Sequence, residues 1–284
     1  MRFMAAFANM SLVLFVASAA QALTIEVVPV GNPNNPPDRD HFGDGRFGAV
    51  GHLFYIGKFE VTNAQYAAFL NAVAVTTDPH ELYGGHTGIV QTLIGGSFTY
   101  TLKPNKGNKP VDKVSFWDAA RFANWMHNGQ PTGVQDNTTT EDGAYTLGGV
   151  TNPPNSIVNR NPGATWFLPS EGEWYKAAYH QPASQGGDSG DYWLYPTATN
   201  DVPTVARSNN VGDIINPGAN VVNYSSGVQW ECEGENVSMT TVGSAGPAST
   251  SFYGTFDQAG NLQEWIEGIH NFRRILVSFG AECG

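Results

Sequence analysis

Cysteine is scarce in this chain: Cys232 and Cys283 are the only two among 284 residues. Two thiols do not make a disulfide framework, and the absence of C-x-x-C or Cys/His spacing excludes a structural zinc site. Basic residues are scarce too. Lys and Arg number 14 against 25 Asp and Glu, for a net charge of −11 and a pI of about 4.9. Such a surface repels phosphate backbones, which removes nucleic acid from the candidate partners. All charged residues together make up only 14%, below the roughly 25% of ordinary soluble domains. No H-x-x-x-H places paired histidines on a helix, and no D-x-D-x-D-G opens an EF-hand. No internal repeat or linker is visible, which leaves one domain.

What the chain does hold is aromatic and turn-rich. Aromatic residues reach 12%, and Gly and Pro together number 50. That composition predicts a sizeable core with short helices set in much irregular backbone, hence an α+β class. At the N-terminus, Arg2 precedes the short apolar run MSLVLFVASA (10–19) and the small-residue site Ala20-Gln21-Ala22. The pattern predicts a signal peptide over residues 1–22, cut after Ala22. The mature chain is then secreted or periplasmic, with no membrane attachment after cleavage. An uncleaved anchor is the rival, but Asn9, Ser11, Ser18 and Gln21 interrupt a stretch barely near the ~20 residues a span needs.

Residues 24–30 (TIEVVPV) read as a first strand and 52–61 (HLFYIGKFEV) as a second, running into a helix. Thr62-x-x-Gln65 is a capping box, with Val61 and Tyr66 as the hydrophobic staple and Tyr66, Phe69, Leu70 and Val73 as the buried face. Ser115-x-x-Asp118 opens a helix over 116–127, closed by Gly129, and Ser170-x-x-Glu173 opens another to about His180. Residues 128–161 read as a polar surface excursion with a short strand at 144–147. Brief strands are expected at 192–195 and 221–224.

Four segments, in order, resemble the sulfatase-modifying-factor family, which includes the formylglycine-generating enzymes. They are YIGKFEVTNAQYAAFL (55–70), KPVDKVSFWDAARFANWM (109–126), ATWFLPSEGEWYKAAYH (164–180) and GTFDQAGNLQEW (254–265). The resemblance implies a compact C-type-lectin-like variant of the α+β class over residues 23–267. Residues 268–284 depart from the family pattern, as a truncated or frame-shifted tail would. The family's oxidases carry two closely spaced catalytic cysteines in that region, whereas Cys232 and Cys283 lie 51 positions apart. Neither inherits the catalytic role, so copper is not expected in this form. The reading is a binding or structural module, with an unidentified protein or small-molecule partner. The alternative is a formylglycine-generating oxidase acting on a sulfatase cysteine.

The last of the four segments holds the densest chemistry. Asp257 and Glu264 bracket a Gly-Asn turn, which suits a metal loop, an acid pair or a polar turn ahead of Trp265. A hard cation such as Ca²⁺ takes carboxylate and carbonyl oxygens at about 2.3–2.6 Å. The resemblance implies calcium held by the side chains of Asp257 and Glu264 and the carbonyls of Gly260 and Leu262. It also implies a second calcium site beginning at Asn223 and Tyr224, with Glu233 and Glu235 in range. A hydrolytic acid pair at Asp257 and Glu264 is the competing chemistry. Six of the seven tryptophans, at 117, 125, 166, 174, 193 and 265, are read as core, with Trp125, Trp174 and Trp265 as anchors.

Overall fold

A computed structural model describes residues 22–39, 47–155, 158–224, 227–228, 230–232, 235–270 and 273–277. The expected signal peptide and Cys283 lie outside these residues. Among those described, no helix is long and apolar enough to cross a membrane. The class is mixed α+β, with small two-stranded sheets and short helices.

Strand β1 (Val27–Val30) pairs antiparallel with β2 (Phe54–Gly57), each shorter than its apolar run suggests. The chain then enters α1 (Asn63–Val73). Thr62 caps it reciprocally: its hydroxyl accepts from Gln65 N–H and its own N–H donates to the Gln65 side chain. The expected face of Tyr66, Phe69, Leu70 and Val73 is buried. Next comes a hairpin of β3 (Ile89–Ile94) and β4 (Ser97–Leu102), absent from the sequence reading. Its two-residue turn, Gly95-Gly96, takes positive φ at both positions, as a type I′ turn requires.

Helix α2 (Phe116–His127) begins at a second capping box, Ser115 with Asp118. It is buried on nearly every side. Phe122, Trp125 and Met126 join the α1 cluster, while Phe116, Trp117, Ala120 and Ala123 pack with Tyr145, Leu147, Val158 and Leu168. Its polar residues are buried as well, and they anchor the inner face of the 128–161 excursion, where Gln135, Thr139, Thr140, Glu141 and Tyr145 are buried while residues 132–134, 136–138 and 148–150 stay exposed. Arg121 is fully enclosed and forks onto Glu141 at 2.7 and 2.9 Å, while donating to the carbonyls of Val150 and Thr151. Asn124 donates to the carbonyls of Thr140 and Tyr145 and accepts from Tyr145 N–H. These bonds wrap the segment tightly over α2. Residues 144–147, expected as a strand, join no ladder: the Tyr145 backbone bonds to the Asn124 side chain of α2, Ala144 O accepts from Asn161 N–H, and Leu147 N–H donates to Glu141 O.

Helix α3 (Glu171–Tyr179) has a third box, Ser170 with Glu173. Beyond it the chain is irregular. Tyr192 and Tyr195 make only isolated bridges, to His180 and Thr199. The expected strand at 221–224 shrinks to β6 (Val221–Val222), parallel to β5 (Thr204–Val205). The short strands β7 (Trp230–Cys232) and β8 (Glu235–Val237) follow. A last antiparallel pair, β9 (Glu264–His270) and β10 (Arg273–Val277), carries the chain into the segment read as a tail. Ile266 of β9 is fully buried against Trp174 and Tyr175 of α3.

Candidate functional site

The segment from Asp257 to Glu264 lies where β2, α3 and the irregular C-terminal half meet. Asp257 and Asn261 both hold left-handed backbone, φ 64° and 63°. Asp257 O accepts from Gly260 N–H at 3.0 Å, closing a tight turn. Gly260 sits hard against the backbone of Asn223, where an added Cβ would come within 2.2 Å of the carbonyl oxygen, so only glycine fits.

Asn261 is the hub of the turn. Its N–H donates to Asn223 O at 3.0 Å, and its Oδ1 accepts from Thr240 N–H and from the Asn223 side chain. Its Nδ2 donates to Glu60 at 2.7 Å, and Glu60 also accepts from Leu262 N–H at 3.0 Å. Glu60 comes from the segment between β2 and α1. It is a third carboxylate that the sequence reading missed, because nothing local to Glu60 signals a partner 200 positions away. Asp257 Oδ2 accepts from Gly243 N–H at 2.7 Å, and Glu264 accepts from the indole N–H of Trp174. None of the described hydrogen bonds falls on the carbonyls of Gly260 or Leu262.

The three carboxyls strain against their surroundings. Each residue keeps some solvent exposure, but its carboxyl group is packed inside. Burial pushes Asp257 up to about 6, even with the Gly243 N–H drawing it down. Burial, with the nearby Asp257, pushes Glu264 up to about 7 against the opposing pull of the Trp174 indole. Glu60 is also held well above the ordinary carboxylate range, by burial and by the charges of Asp257 and Glu264. No Lys, Arg or His side chain is among the causes acting on the three. Among the described residues, no group of three or more His, Cys, Asp or Glu is arranged as a metal cluster. The expected set is of a different kind, two carboxylates and two carbonyls.

Beside the turn opens a cavity of about 480 Å³. Phe59, Phe122, Met126, Trp166, Phe256 and Trp265 supply its apolar walls, and Glu60 and Glu264 reach its edge. Trp125 and Trp174 are buried as expected. Trp265 is half-buried, its indole N–H donating to Val114 O at 2.8 Å while its ring faces the cavity.

Of the remaining expected residues, Asn223 joins the turn and Tyr224 turns away from it. Asn223 is drawn onto the Asn261 turn and Ser238 O, and the Tyr224 hydroxyl donates to Pro203 O. Glu233 and the side chains of Cys232 and Glu235 lie outside the described residues. The histidines do not converge: His80 meets Glu141 and Thr151, His86 meets carbonyls of Leu82 and Asp112, and His52 meets Glu173.

Comparison with known proteins decides the family. Residues 46–274 match the sequence profile of the sulfatase-modifying factor enzyme 1-like domain. The chain belongs to that family. The match includes β2, all three capped helices, Glu60 and the Asp257–Glu264 turn, so this sulfatase-modifying-factor domain carries its candidate site wholly within the matched span. No curated protein matches. Among solved structures, the crystal structure of CarF is similar at 20% identity over 89% of this chain and 85% of that one, with a TM-score of 0.46.

Proposed function

We propose that this sulfatase-modifying-factor domain is an exported, calcium-stabilised binding or structural module with a compact C-type-lectin-like fold, and that it is not a cysteine oxidase. The observation that carries the calcium reading is a pair of packed carboxyls, Asp257 and Glu264, that burial raises to about 6 and 7 with no Lys, Arg or His side chain acting on either. Their oxygen-only chemistry fits a hard cation, as do the carbonyls of Gly260 and Leu262, which take no hydrogen bond among the described residues. Asp257, Glu264, Gly260 O and Leu262 O would hold the ion, which supplies positive charge to a buried acidic turn. Asn223 and Tyr224 are the described part of a second such site. The apolar cavity beside the turn is the place for a partner.

The non-oxidase reading rests on Cys232 and Cys283 standing 51 positions apart in the sequence. The calcium test is a thermal melt of the full chain with calcium and with chelator. A midpoint raised by calcium supports the reading, since a ligand bound only by the folded state stabilises it by mass action. Identical melts defeat it. Incubation with copper, O₂ and a cysteine peptide of sulfatase type tests the alternative: an aldehyde detected by mass spectrometry would make this an oxidase.

A further inference from the structure

The cavity beside the acidic turn has walls of one kind and a rim of another. Its walls are aromatic and apolar, with Phe59, Phe122, Trp166, Phe256 and Trp265 among them. Two carboxyls, Glu60 and Glu264, reach its edge. Glu60 is fixed there by neutral donors, Leu262 N–H at 3.0 Å and the Asn261 side chain at 2.7 Å. Glu264 takes the Trp174 indole on Oε2, and among the described residues no donor reaches its Oε1. No ion pair falls on either carboxyl among those residues. The one basic residue in the described lining, Lys113, sends its Nζ to Gly85 O at 2.9 Å. Lys58 lies over the Phe59 and Phe256 rings at 5.2 and 5.8 Å, but it is not part of the lining and pairs with Glu26 at 2.7 Å.

We infer that the cavity binds a small organic cation, an ammonium group carried on an apolar, aromatic body. The inference rests on reading the cavity as the place for a partner, and it names that partner's chemistry. A volume of about 480 Å³ is that of a small-molecule site. Charge then selects the ligand. A neutral apolar molecule would close over two carboxyls and leave them without a counter-charge, which is costly in apolar surroundings. An anion would add like charge at the rim, where the Lys113 ammonium is turned to Gly85. An ammonium offers N–H donors to the carboxyl oxygens while its body covers the apolar walls. The aromatic rings favour the same charge, since each presents a negative face to a cation. At long range, a net charge of −11 draws cations and turns anions away. Calcium on Asp257 and Glu264 leaves Glu60, which is outside that ligand set, as the acid for the ammonium.

Isothermal titration calorimetry of the full chain in calcium buffer tests this with phenethylamine, its neutral counterpart phenethyl alcohol and its anionic counterpart hydrocinnamate. The amine should bind with a dissociation constant below about 1 mM, about tenfold or more tighter than the alcohol, and hydrocinnamate should give no heat. Glu60→Gln keeps an acceptor for Leu262 N–H and removes the charge. It should weaken the amine about tenfold and leave the alcohol unchanged. Far-UV circular dichroism checks that the variant folds; the ligand series on the unaltered chain decides if it does not. Equal affinity for amine and alcohol, binding of hydrocinnamate, no heat from the amine, or a folded Glu60→Gln that binds the amine undiminished each overturns the inference. So does tighter binding of N-acetyl-lysine methylamide, which would assign the site to the lysine side chain of a partner protein. A melt raised by calcium without amine binding removes this inference and keeps the calcium reading; amine binding with identical melts does the reverse.

Discussion

Glu60 and Asn261 are separated by 201 positions, yet one hydrogen bond of 2.7 Å between them organises the acidic turn. Together with the bond to Leu262 N–H, it ties the turn backbone to the start of α1. Replacing the raised carboxyls tests the site residue by residue. Glu264→Gln keeps an oxygen for the Trp174 indole but removes a buried charge. In metal-free protein at pH 8 it should raise the melting midpoint, and it should abolish the response to calcium. A lowered metal-free midpoint would contradict the unpaired-charge reading. Trp174→Ala removes the indole donor and a buried ring, and should cost about 3–5 kcal/mol in a denaturant titration. Glu173 shows the opposite electrostatics. Burial alone would raise it, but Arg160 and the Ser170 cap pull it down to about 2, so it stays ionised below pH 7, where Glu264 takes up its proton.

At the scale of elements, three capping boxes define three helices, and all three were legible because a cap is a local device. Ser115→Ala should cost about 1 kcal/mol of stability, read by urea unfolding. The β3–β4 hairpin also carried a local signal, Gly95-Gly96 between strand-forming runs, and a reading attentive to two-residue turns finds it. The inner face of 128–161 was not legible. Its polar composition reads as exposed, which holds for residues 132–134, 136–138 and 148–150, and only the partners of Arg121 and Asn124 show that Glu141 and Tyr145 are enclosed. Because Arg121 and Glu141 are both buried, Glu141→Ala leaves an unpaired guanidinium inside and should cost about 3–5 kcal/mol. A loss below about 1 kcal/mol would mean that water reaches the pair.

For the whole molecule, the acidic turn predicts how stability varies with pH. The folded values of about 6 for Asp257 and about 7 for Glu264 exceed the unfolded values of 3.8 and 4.5. The folded state therefore binds more protons between about pH 4 and 7, and metal-free stability falls as pH rises through that window, then levels. The loss is at most about 3 kcal/mol per carboxyl, reduced by solvent in the adjoining cavity. Calcium needs the ionised forms, so its stabilisation should grow over the same window and cancel the fall. Melting curves from pH 5 to 8, with calcium and with chelator, check both slopes. A metal-free midpoint that does not fall from pH 5 to 8 would exclude the acidic turn as the source.

The sequence alone determined the helices, their caps, the buried face of α1 and the acidic turn, because each is written in residues a few positions apart. Its ordered motifs also determined the family, later matched over 46–274. Tertiary structure decided the rest. It brought Glu60 to the turn, placed the 480 Å³ cavity beside Glu264 and enclosed Arg121 with Glu141. Those facts depend on which distant segments share a surface. Burial and unpaired charge become properties of a residue only once its neighbours in space are set.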